Sequence, residues 1–109
     1  MVQTLVLAFL TGFLAANGTP HLVKGITHER FPGTIGNSPV ANLLGGWILY
    51  LVAAVLLVAA HPLHHPYAAV LALAVGALPM GLFHAHVGAF GRNGARAPIA
   101  ASLEPLTRL

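Results

Sequence analysis

Apolar residues along this chain fall into three long blocks separated by short polar connections, and block length decides what each can be. The clearest is Val40 to Ala60, 21 residues without a charge, with Trp47 and Tyr50 toward one end and a leucine, valine and alanine run toward the other. At about 1.5 Å per residue, such a helix crosses a hydrocarbon core of about 30 Å. Val2 to Asn17 is shorter and interrupted by Gln3, Thr4, Thr11 and Gly12. It reads as a first span, with Gly12 and Ala16 as a small-residue stripe for a neighbouring helix. Tyr67 to Phe90 reads as the third, and Pro79 between Gly76 and Gly81 predicts a kink in it.

Between the first two spans the pattern changes. Thr19-Pro20 is a helix-start signal, a hydroxyl able to cap followed by a proline whose missing N–H is not needed at the first helical position. Around the helix that should follow, Leu22, Val23 and Ile26 share one side, and His21, Lys24, Gly25 and His28 the other. This predicts a short amphipathic helix over about 19–28, lying in the membrane interface. Phe31-Pro32-Gly33 through Gly36-Asn37 is turn chemistry, and Ser38-Pro39 restarts a helix. The expected fold class is all-α integral membrane: three transmembrane helices, about 2–17, 40–60 and 67–90, plus the interfacial helix. Together they form one transmembrane domain over 1–91, followed by a basic, flexible tail over 92–109.

Composition sharpens the assignment. Charged residues are only 6% of the 109, against roughly 25% in ordinary soluble domains. They fall in two patches, Lys24 to Arg30 and Arg92 onward. All five basic residues lie in the connection after the first span or in the tail, which three spans place on the same side. By the positive-inside rule that side is cytoplasmic, leaving the N-terminus and the His61 to Pro66 turn outside. A net charge of +3 from so few groups offers no clustered basic face for nucleic acid. With no cysteine there is no disulfide or thiolate chemistry. Paired carboxylates, a Gly-x-Ser-x-Gly elbow and a phosphate-binding loop are also missing, so the expected role is non-enzymatic.

The remaining chemistry rests on seven histidines. His84 lies within the third span, where polar side chains face the bundle interior, and His21 can converge on it at the cytoplasmic boundary. Asn17 lies one turn before His21, Asn42 begins the second span, and Gly25 and His28 continue the His21 face. Asn17, His21, Gly25, His28, Asn42 and His84 are therefore the candidate ligand-binding set. No cofactor is expected. The alternative is a transition metal or haem held by His21 and His84, or a proton-handling site. On the outer side, His61-Pro-Leu-His64-His65 resembles the His-x-x-His-His box of membrane-bound di-iron desaturases and hydroxylases. That likeness covers five residues and implies metal ligation by His61, His64 and His65. Those enzymes use several boxes on the cytoplasmic side, whereas here there is one, outside, with prolines interrupting the helical spacing.

A second resemblance covers about a third of the chain. Asn17-x-x-Pro20-His21-x-x-x-Gly25-Ile26-Thr27-x-x-x-Phe31-Pro32, then Ser38-Pro39-x-x-Asn42 and Gly46-Trp47, is similar to a set of small bacterial inner-membrane proteins without an assigned activity. It implies a few spans with the Pro-His segment between the first two, and an inner-membrane location. The expected partners are the lipid bilayer and either further copies of the chain or the subunits of a membrane complex. The expected function is a structural, interaction or lipid-binding component acting through Asn17 to Phe31.

Overall fold

In the bilayer every backbone N–H and C=O needs a partner within the protein, so long apolar runs resolve into helices. The computed structural model describes residues 1–86. Within them are three helices and no strand: α1 (Val2–Ile26), α2 (Pro39–Ala59) and α3 (Pro66–His86). Each is long and apolar enough to cross a membrane. The last residues expected for the third span and the whole expected tail lie outside the described residues.

The expected separate interfacial helix is corrected: residues 19–26 are the last turns of α1, which runs unbroken through Gly18 and Pro20. Thr19 does not cap a new helix. Its hydroxyl donates to the Ala15 carbonyl one turn back (2.7 Å), leaving its oxygen to accept from the Tyr50 hydroxyl of α2 (2.6 Å). Pro20 removes one backbone donor, that to Ala16. A break at 17–19 would strand several such groups at the membrane boundary, so continuity is the cheaper arrangement.

α1 is the central element, since α2 and α3 both pack on it and scarcely on each other. Its contact with α2 follows a seven-residue repeat, Thr4, Thr11, Gly18 and Gly25, opposite Gly46, Ala53 and Ala60 of the antiparallel partner. Gly18 and Gly46 sit where backbones nearly touch: a Cβ on Gly46 would lie 2.6 Å from the Leu22 nitrogen. Against α3, Gly12 meets the Leu73 carbonyl and Gly76 meets the Phe9 carbonyl. Ala8, Ala60 and Ala69 complete this small-residue seam, the packing expected where helices associate without a hydrophobic driving force between them.

Helix ends are finished by side chains. Ser38 caps α2, accepting from the Ala41 N–H (3.1 Å), with Pro39 at the first position, as the sequence predicts. At the other end of α2, Gln3 and Thr4 of α1 donate to the Ala59 (2.8 Å) and Ala60 (2.7 Å) carbonyls, two acceptors with no partner in their own helix. The His61–His65 turn therefore lies beside the start of α1, while the 27–38 connection and the end of α3 lie beside its finish. Outward faces are apolar, Val55, Val58, Val70 and Leu71 among them.

Candidate functional site

At the α1 finish, the gap between α2 and α3 holds a cavity of about 330 Å³. Its polar lining is Asn17 and His21 from α1, Asn42 from α2 and His84 from α3; Ile48, Leu49, Met80 and Phe83 supply apolar wall, and the 33–36 loop covers one side. Measured along the helix from Val2, His21 lies about 28 Å in, and His84 is about 27 Å from Pro66. Both therefore stand one hydrocarbon thickness, about 30 Å, from the far ends of their helices.

Asn42 organises this end. It is only 1% exposed, and its amide nitrogen donates to the Phe31 carbonyl (2.6 Å) and the Ser38 carbonyl (3.0 Å). Two acceptors on the nitrogen fix which way the amide points, so its oxygen faces His21 Nδ1 at 2.7 Å. An amide oxygen only accepts, hence His21 Nδ1 carries the proton. His84 reaches the same state by a local route: Nδ1 lies 3.0 Å from the Met80 carbonyl one turn back, and a carbonyl likewise only accepts. In the neutral form of either ring the lone pair then lies on Nε2, which has no hydrogen-bond partner among the described residues. The two ring planes are nearly perpendicular (89°) with centroids 6.0 Å apart, and Phe31 packs on both, 5.1 Å from His21 and 6.5 Å from His84. The amide of Asn17 has no hydrogen-bond partner among the described residues and lines the cavity.

Of the six residues singled out by sequence, Asn17, His21, Asn42 and His84 come together and two do not. Gly25 packs against Leu43, whose backbone nitrogen would lie 2.5 Å from an added Cβ. Its missing side chain serves the α1–α2 contact rather than a ligand. His28 is exposed and has φ 59°, placing it just past the end of α1 in the left-handed region. There its N–H donates to Gly25 (3.2 Å) and the Glu29 N–H to Lys24 (2.8 Å), a Schellman closure of the helix. Lys24, in the last turn of α1, and Glu29, just past its end, form an ion pair (2.7 Å). The Lys24 ammonium, through its hydrogen bond and charge, holds the Glu29 carboxyl below its ordinary range. What sequence reasoning missed is the cover over the site: Gly33 to Gly36 carry no periodicity, and only their glycines hint at close approach.

On the outer turn, His61 also adopts a positive φ (48°), ending α2, and stacks on His64 at 5.4 Å and 12°. The His65 carbonyl accepts from Ala69 to open α3 (2.9 Å). Among the described residues no three His, Cys, Asp or Glu side chains gather in one place. Comparison with protein-family models, with curated proteins and with solved structures finds no match.

Proposed function

We propose that this protein is a non-enzymatic binding component of the bacterial inner membrane that holds a small ligand in the cavity between α2 and α3. The observation that carries the proposal is the pair of imidazoles, His21 and His84. Each is anchored through Nδ1 to an oxygen, and among the described residues neither Nε2 nor the Asn17 amide on the same cavity has a hydrogen-bond partner. Asn17, His21 and His84 are half-buried in the lining of one cavity, so two oriented acceptors and an amide are available there to a guest in place of water.

In this reading the cavity opens at the cytoplasmic face. Lys24 and Arg30 flank that end, the N-terminus and the His61 turn are outside, and the C-terminus is inside. The bilayer is the protein's immediate partner. α3 buries only Ala69 and Gly76 against α1, which leaves surface for lipid and for a second copy or a complex subunit.

Gly45 gives a clean test. It lines the cavity, and a Cβ there meets only the tip of Ile35 at 3.6 Å, so Gly45→Leu fills the space without striking backbone. Native mass spectrometry of the full chain, released from nanodiscs of bacterial lipid, is expected to show a retained small adduct. Gly45→Leu loses it and His61→Ala keeps it. An adduct indifferent to Gly45→Leu, or none at all, overturns the proposal.

A further inference from the structure

The chemistry of the cavity narrows its guest to one class. Resting on the binding role just proposed, we infer that His21 and His84 form a low-coordinate site for a soft monovalent metal ion, Cu(I), held between their two Nε2 atoms.

Geometry is the first support. With metal–nitrogen bonds of about 2.0–2.1 Å and roughly 1.2 Å from each nitrogen to its ring centre, two imidazoles sharing one ion have centroids about 5 Å apart at a tetrahedral angle and about 6.5 Å apart when opposed. The observed separation is 6.0 Å, inside that window and toward the open angle that a two- or three-coordinate ion prefers. A bare ion fits between rings this close, whereas a porphyrin plane would have to displace Phe31 from its contact with both.

The tautomers are the second. Metal-binding histidines characteristically donate the other ring N–H to an oxygen, which fixes the ring and raises the basicity of the ligating nitrogen. Both rings already do so, to Asn42 Oδ1 and to the Met80 carbonyl. In His21 the supporting oxygen is itself held by two further hydrogen bonds from the same amide group, to Phe31 and Ser38.

Charge selects the ion. Among the described residues no carboxylate lines the cavity, so a bound cation keeps its full charge at the edge of a low-dielectric medium. Desolvation cost grows as the square of the charge, so a divalent ion incurs roughly four times the penalty of a monovalent one. Neutral imidazoles suit copper, and Met80, on the same cavity wall, carries a thioether, a donor that favours Cu(I) over harder ions.

The test titrates the detergent-solubilised full chain, under anaerobic reducing conditions, with Cu(I) supplied as its coloured bis-bicinchoninate complex. The expected result is loss of colour at one Cu(I) per chain. His21→Ala and His84→Gln should each weaken uptake by about tenfold or more, and the His61→Ala/His64→Ala double variant should leave it unchanged. Because His21→Ala also strands Asn42, the wild type supplies an independent readout: on adding Cu(I), ring ¹⁵N resonances of His21 and His84 should move at Nε2 and stay nearly fixed at Nδ1. No uptake, uptake that follows His61 and His64, or tighter retention of Zn(II) than Cu(I) overturns the inference. If an adduct sensitive to Gly45→Leu exists while Cu(I) fails to bind, the ion assignment falls and the binding cavity stands. If both fail, both fall.

Discussion

Asn42→Ala tests how the site is held together. The substitution removes an acceptor from His21 Nδ1 and a donor from the Phe31 carbonyl. The Ser38 carbonyl keeps its helix bond from the Asn42 backbone N–H (3.0 Å), so two groups are newly orphaned, not three. Two scales bracket the cost. Polar contacts between transmembrane helices average about 0.6 kcal/mol each, which would put the loss near 1.2 kcal/mol. A buried orphan instead costs about 1–3 kcal/mol, which would put it at about 2–6 kcal/mol.

Position decides between these scales. Phe31 is 9% exposed and its carbonyl belongs to a loop with no helix to fall back on, so the orphan scale applies there; His21 is half-buried beside a cavity that admits water, so its loss sits at the low end. The expected destabilisation is about 2–4 kcal/mol, read by reversible denaturation in mixed micelles. In the same sample, His21 should lose its fixed Nδ1–H state by ¹⁵N spectroscopy and drift toward the mixture of tautomers that free imidazole adopts. Asn42→Asp separates the two functions: it can still accept from His21 and so keeps the tautomer, yet it donates to neither carbonyl and sets a carboxylate against both. A loss under about 1 kcal/mol in Asn42→Ala, with the tautomer unchanged, would refute the claim that this amide organises the site.

Other substitutions probe the scaffold. Gly76→Ala puts a methyl onto the Phe9 carbonyl, a backbone atom that cannot swing away, so separation of α1 from α3 should cost about 1–3 kcal/mol; Gly81→Ala, with open space around it, should be nearly neutral in the same melts. His28→Gly relieves a left-handed backbone worth roughly 1–2 kcal/mol to an L-residue and gives back about 0.4–1 kcal/mol in unfolded-chain freedom. A small net gain in stability with unchanged ligand retention is expected, and lost retention would return His28 to the site. Glu29 has its folded pKa below its unfolded value, so its pairing with Lys24 stabilises the protein above the unfolded value and fades as pH falls through the folded one. The melting difference between wild type and Glu29→Gln should therefore be present at neutral pH and vanish below the ordinary carboxylate range near 4.5.

How much was legible in the sequence depends on which signals are local. Ser38-Pro39 marks the start of α2 because capping needs only adjacent residues, and the apolar blocks mark spans because lipid imposes their length. Asn17, His21, Asn42 and His84 could be grouped because polar side chains near the ends of apolar helices turn toward the bundle, and alternating spans bring those particular ends together. Asn17-Gly-Thr-Pro20 misled because its local grammar is that of a helix break, yet the deciding interactions are long-range. Gly18 lies against Leu49 and Gly46 of α2, and Thr19 receives the Tyr50 hydroxyl. Continuity through Pro20 keeps Gly25 in phase with Gly18 on the seven-residue seam, and it carries His21 on the same rigid helix to the depth of His84. A flexible joint at 17–19 would leave the His21 ring free to wander by ångströms. The unbroken helix instead sets one wall, Asn42 locks the ring to the second, and α3 brings His84 to the third, so the pair is oriented by the protein alone. That preorganisation, obtained by tolerating one missing N–H at Pro20, is the strongest physical reason to regard this end of the bundle as a site rather than as a helix terminus.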